Sequence, residues 1–407
     1  MASIAVCRPR CATLWALLAI AVVTARTGSA IEPEAGDPKG EIAERIRQAQ
    51  SEGGPYSKEL IDPLTTLSLL YLEEGQHALA DAVIEQALQV MRANYGLRSL
   101  EQVPLMRQRI LSEESRGNFA EAWKLELALQ TMARAHPEDL RAAAVFHEIG
   151  DNRMEVLDRY RAGEFPPQLA LGCYYDEPQL RSWGENDRPN CTSGSKLFAQ
   201  QAMLNDAQRN YAGAIRVLLR QHRYADGELD ELERKLIRSS YVYGRYVTGR
   251  QSLARIISYA VANGEPLLNR ATALVQVADW DLLFEHRPLA LDAYAQTYQF
   301  LEQQDVPQAA IDELFTPATP VTLPTFMPNP LAGAVYLPPG EYFDVAFEIT
   351  RFGTSRRVEV LGSSDNASAD ARDEVVHLIE RTRFRPRVTD GQLARASRVV
   401  IRYPLSE

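Results

Sequence analysis

Ser193-Gly194-Ser195-Lys196 is where this 407-residue chain comes nearest to spelling a reactive site. The pattern S-x-x-K sets a lysine amine close to a serine hydroxyl, which it can activate as a nucleophile for hydrolysis. So short a pattern arises by chance, and within a polar loop beside Cys191 a solvated turn is expected of it. His147-Glu148 lacks the second histidine of a zinc-binding helix, and His77, His136, His222, His286 and His377 stand singly. There is no G-x-S-x-G elbow, no H-E-x-x-H helix and no glycine-rich phosphate loop. No catalytic residue, metal site or cofactor is therefore expected.

Cys173 and Cys191 are the only cysteines beyond the N-terminal segment, which holds Cys7 and Cys11. In an exported chain such a pair predicts a disulfide closing the loop 174–190, worth roughly 3 kcal/mol on the chain-entropy model. A metal or redox pair is the alternative, but close C-x-x-C spacing and nearby histidines are missing. Export itself follows from Met1–Ala30. Arg8 and Arg10 form a basic head, Ala12–Ala25 an apolar run, and Gly28-Ser29-Ala30 a small-residue end, the layout of a cleaved signal peptide. The apolar run is shorter than the ~18–20 residues that span a bilayer, so an uncleaved inner-membrane anchor is the second reading.

The chain is organised around its last sixty-odd residues, which close on a strand. Ala396–Tyr403 alternates, with Val399 and Ile401 on one face and Arg398, Val400 and Arg402 on the other. Arg398, Val399, Val400, Ile401, Arg402 and Tyr403 become candidate partner-binding residues, as a sheet edge, only through the family resemblance that these elements carry. The elements that must position them precede it. Phe343, Val345, Phe347 and Ile349 alternate with polar residues in a first strand; Arg351-Phe352-Gly353-Thr354 turns; Arg357–Leu361 returns. A helix with Ala371, Val375, Leu378 and Ile379 on one face follows, capped by Ser368 or Asp370 and ended before Pro386.

This strand-strand-helix-strand order, with Ser363-Ser364, Arg383-Phe384-Arg385-Pro386 and Asp390-Gly391 in sequence, resembles the C-terminal domain of TonB-like energy transducers. Tyr336-Leu337-Pro338-Pro339 stands in altered form where that family often carries a tyrosine-proline segment. The resemblance covers about a sixth of the chain. It implies a non-catalytic periplasmic module that binds an outer-membrane receptor segment by β-augmentation. Transducers of this family also use a histidine in an N-terminal membrane helix; none occurs here before His77.

Upstream, Leu64, Leu67, Tyr71, Gly75, Ala80, Ile84 and Ala87 fall at the offsets of a tetratricopeptide unit. Small alanines admit close helix packing and Gly75 the turn. A second unit starts about 42 residues later near Val103, with Gly117-Asn118-Phe119 at its turn and Ala122 at the packing position; the length resembles the repeats of kinesin light chains. Tyr211 and Ala214, then Gly249 and Ala254, then Trp280, Ala290, Tyr294 and Tyr298 mark weaker units, their aromatics expected mainly as core. Pro317, Pro320, Pro324, Pro328, Pro330, Pro338 and Pro339 mark a semi-extended spacer.

The predicted fold is mainly α: a tetratricopeptide-like α-solenoid followed by a small α+β domain. Its divisions are a signal peptide (1–30), an exit linker (31–55), a repeat domain (56–315), a proline-rich linker (316–340) and a TonB-like domain (341–407). With 45% hydrophobic residues it can bury a large core, and a formal charge of −10 disfavours nucleic acid. The basic run Arg381, Arg383, Arg385, Arg387 is expected as a solvated edge offset by Glu380 and Asp390. The functional expectation is a periplasmic adaptor that binds protein partners of the cell envelope or a second copy of itself. A membrane-anchored transducer is the alternative, and an envelope hydrolase using Ser193 and Lys196 a third.

Overall fold

The computed structural model describes residues 38–169, 193–223, 227–332, 334–389 and 392–404. The expected signal peptide (1–30), the expected Cys173–Cys191 disulfide and the expected turn at Asp390-Gly391 lie outside them. The described chain is mainly helical with a small C-terminal sheet region.

Eleven named helices run in order: α1 (Pro38–Gly53), α2 (Ile61–Glu73), α3 (His77–Tyr95), α4 (Val103–Ser115), α5 (Phe119–Ala135), α6 (Leu140–Arg161), α7 (Ser193–Arg220), α8 (Gly227–Val242), α9 (Tyr246–Ala262), α10 (Leu267–Leu283) and α11 (Arg287–Gln303). A shorter α12 (Gln308–Phe315) follows. Each packs on its neighbours in sequence. The α2–α3 turn shows why. Ala80 and Ala87 have no exposed surface, so the helices close without a side chain between them. Gly75, at φ +70°, lets the chain reverse while the Gln76 N–H donates to the Tyr71 carbonyl at 2.8 Å. Gly117 and Asn118 repeat the device between α4 and α5, at φ +77° and with the Asn118 N–H donating to Glu113 O at 2.8 Å. Tyr211, Trp280, Tyr294 and Tyr298 are all buried.

Two expected connectors have more structure than their composition predicts. Within the segment read as an exit linker, Pro38–Gly53 is a helix, because Ile42, Ile46 and Ala49 form a stripe that packs on the helical core. Ser193 opens α7, so a helix stands where a solvated turn is expected at Ser193–Lys196.

The C-terminal sheet has the order β3-β2-β7, with β2 (Phe343–Thr350) between β3 (Ser355–Ser363) and β7 (Ala396–Tyr403), both antiparallel to it. Helix α13 (Ala369–Arg381), capped by the Ser368 hydroxyl accepting from Ala371 N at 3.1 Å, packs on β3. Its Val375, Leu378 and Ile379 close a core with Val345, Phe347, Ile349, Val399 and Ile401. Short strands complete the region: β1 (Thr322–Leu323) with β4 (Arg383–Phe384), and β5 (Val388–Thr389) with β6 (Gln392–Leu393).

The proline-rich stretch does not hold these two regions apart. It pairs through β1 with β4, buries Leu331 and Val335 in the sheet's core, and sets Phe326 against Tyr241 and Trp280 at ring separations of 5.6 and 5.7 Å. Prolines remove backbone donors, but the apolar residues between them supply enough buried surface to fasten the segment as a strap.

Candidate functional site

Among the described residues strand β7 has one strand neighbour. All eight of its residues pair with β2 in unbroken register, from Phe343↔Tyr403 to Thr350↔Ala396. Just past that ladder the Arg351 N–H donates to the Arg395 carbonyl at 3.3 Å. Antiparallel hydrogen bonding alternates, so this contact fixes the parity: Ser397, Val399, Ile401 and Tyr403 bond to β2, and the N–H and C=O groups of Arg398, Val400 and Arg402 face away. On the other side of β2 the Thr350 N–H donates to Thr354 O at 2.9 Å, the complementary parity.

The side chains alternate with the backbone. Val399, Ile401 and Tyr403 are buried. The Tyr403 hydroxyl accepts from Val335 N at 2.9 Å and donates to Val335 O at 3.2 Å, which ties the strap to the end of β7. Val400 is 54% exposed between Arg398 and Arg402. Arg402 donates to both oxygens of Asp344, at 2.8 and 2.9 Å, and lies 4.0 Å from the Tyr342 ring centre. That hydrogen bond holds Asp344 below the usual carboxylate range. Arg398 reaches Glu359 only at 3.4 Å.

The opposite edge, β3, is irregular. Its pairing with β2 shifts register between Asp344 and Val345 and again between Ala346 and Glu348, and Arg357 there has φ +51°. Bulges and charges of this kind blunt an edge against a further strand. The regular edge is the one that can accept an added strand.

The basic run behaves unlike its expectation. Arg383, Arg385 and Arg387 turn inward against α10, α11 and the chain around α12. Arg385 donates to Asp279 through Nε at 3.0 Å and Nη2 at 2.5 Å, and Asp279 also accepts from the Tyr294 hydroxyl at 2.6 Å. Arg385 and Asp279 side chains are 8% and 2% exposed. Burial pulls the Arg385 pKa down, yet the charge and hydrogen bonds of Asp279 leave it raised; burial and Asp279 together push Tyr294 well up. Arg383 donates to Glu285 and to the Phe352 carbonyl, Arg387 to the Pro317 carbonyl. The expected solvated edge is a seam between the sheet and the helices, since in an extended segment alternate arginines share one face, and that face meets the buried Asp279, the half-exposed Glu285 and the Pro317 carbonyl.

The expectation that no partner motif accompanies S-x-x-K is corrected by Ser364-Asp365-Asn366, which spells S-D-N, a companion of S-x-x-K in some acyl-transfer enzymes. It lies just after β3, where the Tyr342 N–H donates to the Ser364 hydroxyl at 3.2 Å, and the third such motif, K-T-G, is absent from the chain. Among the described residues no group of three or more His, Cys, Asp or Glu side chains is placed to hold a metal ion, and no helix is long and apolar enough to cross a membrane. Comparison of the chain with family models and with curated proteins found no match.

Proposed function

We propose that this chain is an exported, non-catalytic adaptor of the bacterial periplasm. In this reading a tetratricopeptide-like solenoid carries a TonB-like module, which binds an extended segment of an envelope protein as an added strand beside β7. The observation that carries it is the free edge itself: an unbulged strand whose Arg398, Val400 and Arg402 backbone groups face away from the sheet, beside an opposite edge that is bulged. Backbone hydrogen bonds would supply affinity, and Arg398, Val400 and Arg402 side chains selection. The test is Val400→Pro, combined with a photo-crosslinking residue at position 398. Proline removes an N–H that β2 does not use, so the sheet should keep its fold and melting temperature. Crosslinks to an envelope partner should disappear; crosslinks that persist unchanged would overturn strand pairing at this edge.

A further inference from the structure

Four arginines gather at the turn between β2 and β3. Arg351 and Arg395 stand opposite each other one step past the last β2–β7 pair, Thr350↔Ala396, joined by the Arg351 N–H donating to the Arg395 carbonyl at 3.3 Å. Both are exposed, and neither side chain has an ion pair or a hydrogen bond among the described residues. Like charges opposed across an antiparallel pair, with Cβ atoms roughly 4.5–5.5 Å apart, weaken a sheet. Phe352 gathers the other two arginines. Its ring centre lies 4.8 Å from the guanidinium of Arg351 and 4.8 Å from that of Arg287, and its carbonyl accepts from Arg383 at 2.8 Å.

Little negative charge answers them. Among the described residues Glu285 is the one carboxylate bonded to any of the four, and it is shared, accepting from Arg287 at 2.7 Å and from Arg383 at 2.5 Å. Burial would raise the Glu285 pKa, yet the hydrogen bonds and charges of Arg287 and Arg383 hold it below the usual carboxylate range. Arg287 also opens α11, whose first turn has no acidic residue and whose N-cap, His286, gives no side-chain hydrogen bond. The positive end of that helix therefore adds to the arginine charge. In a chain of formal charge −10 this corner is left positive.

The donors decide which anion fits. All four cations are arginines, whose planar forks bond two oxygens at once where a lysine is a point charge. A carboxylate brings one charge and two oxygens, enough for one fork. A phosphate monoester brings nearly two charges and three oxygens, enough to join Arg351 and Arg395 and offset their repulsion. We propose that the corner formed by Arg287, Arg351 and Arg395 is a binding site for a phosphate group. The site lies past the end of β7 and does not depend on strand pairing there.

The experiment is calorimetric titration of the full chain with phenyl phosphate and with benzoate, which differ in the anion, beside sedimentation with vesicles of phosphatidic acid or of phosphatidylcholine. Saturable binding of a phosphate probe is expected, with phenyl phosphate about tenfold or more tighter than benzoate and weaker as salt rises. Arg351→Gln combined with Arg395→Gln should weaken it about tenfold or more, while the free chain melts no earlier because the opposed charges are gone. Arg287→Gln, on a helix and not on the sheet, should weaken it as well, and serves alone if the double variant fails to fold. Arg47→Gln, exposed on α1, removes the same charge elsewhere and should change nothing. Sedimentation that requires phosphatidic acid assigns the phosphate to a lipid headgroup; phenyl phosphate binding without it assigns the phosphate to a soluble ligand. Binding of neither phosphate probe, benzoate as tight as phenyl phosphate, or an equal loss from Arg47→Gln would each overturn the proposal.

Discussion

The C-terminal region twice sets arginines along one face of an extended segment, at Arg383, Arg385 and Arg387 and again at Arg398 and Arg402, and the two sets meet opposite fates. Arg385 is nearly sealed against Asp279, whereas the Arg402 side chain remains 61% exposed beside Asp344. Both pairs are bidentate. What separates them is the partner's place: Asp279 is on a helix buried under the sheet region, Asp344 on the open face of the sheet. The inner pair joins two regions, and the outer pair lies on an exposed face of the sheet. The same side chain and the same hydrogen-bond geometry therefore carry different energies, because a buried charge that loses its partner cannot turn to water.

The sharpest way to break the comparison is to remove the inner carboxylate. Asp279→Ala leaves Arg385 buried and unpaired and deprives the Tyr294 hydroxyl of its acceptor. A loss of about 3–5 kcal/mol is expected, seen as a large fall in the denaturant midpoint. The double variant Asp279→Leu with Arg385→Met should recover part of it, since apolar replacement of a buried pair removes the desolvation cost as well as the attraction, while the Tyr294 hydroxyl still lacks its acceptor. A single variant as stable as the parent would show that the seam is wet and open, and the contrast with Arg402 would collapse.

A smaller effect tests the same seam without charge. Gly353, in the β2–β3 turn, has φ +70°, and a Cβ there would lie 2.3 Å from the Phe384 carbonyl oxygen and 3.2 Å from the Leu282 side chain. Gly75 has the same φ and open space around it. Gly353→Ala should therefore cost about 2–4 kcal/mol, strain plus crowding, against about 1–2 kcal/mol of strain alone for Gly75→Ala. Thermal melting of the two variants side by side checks it. Equal losses would mean that the hairpin turn is not seated against Leu282 and Phe384.

These differences explain which features were legible beforehand. Period-2 alternation marked β2 and β7 nearly to the residue, because each strand sets its large apolar side chains on one face, and Ala80, Ala87 and Gly75 marked the close helix pair by their size. The docking seam was less visible because its signals are divided. Asp279 and Asp281 interrupt an apolar helix that also holds Val275 and Trp280, a sign of buried acids in need of cations; Arg383, Arg385 and Arg387 repeat at strand spacing about a hundred residues later. Each alone is ordinary, and only the fold brings them together. Proline count likewise obscured Leu323, Phe326, Leu331 and Val335, the residues that bind the strap.

The smallest expected effect belongs to the outer pair and shows itself in pH. The Arg402 hydrogen bond lowers the Asp344 pKa in the folded chain. A carboxylate lowered by folding contributes stability that is fully present above its unfolded value, about 3.9, and is lost as pH falls through the folded value below that. Asp344→Asn should thus unfold slightly earlier in urea than the parent by the same margin at pH 7 and pH 5, and the two curves should converge only below about pH 4. Because both side chains stand in water, that margin should stay well under the loss at Asp279 and shrink in high salt. A gap that widens in acid would reverse the sign of the linkage. A gap as large as that of Asp279→Ala would mean that the outer face is covered in the folded protein and that the β7 edge is not free.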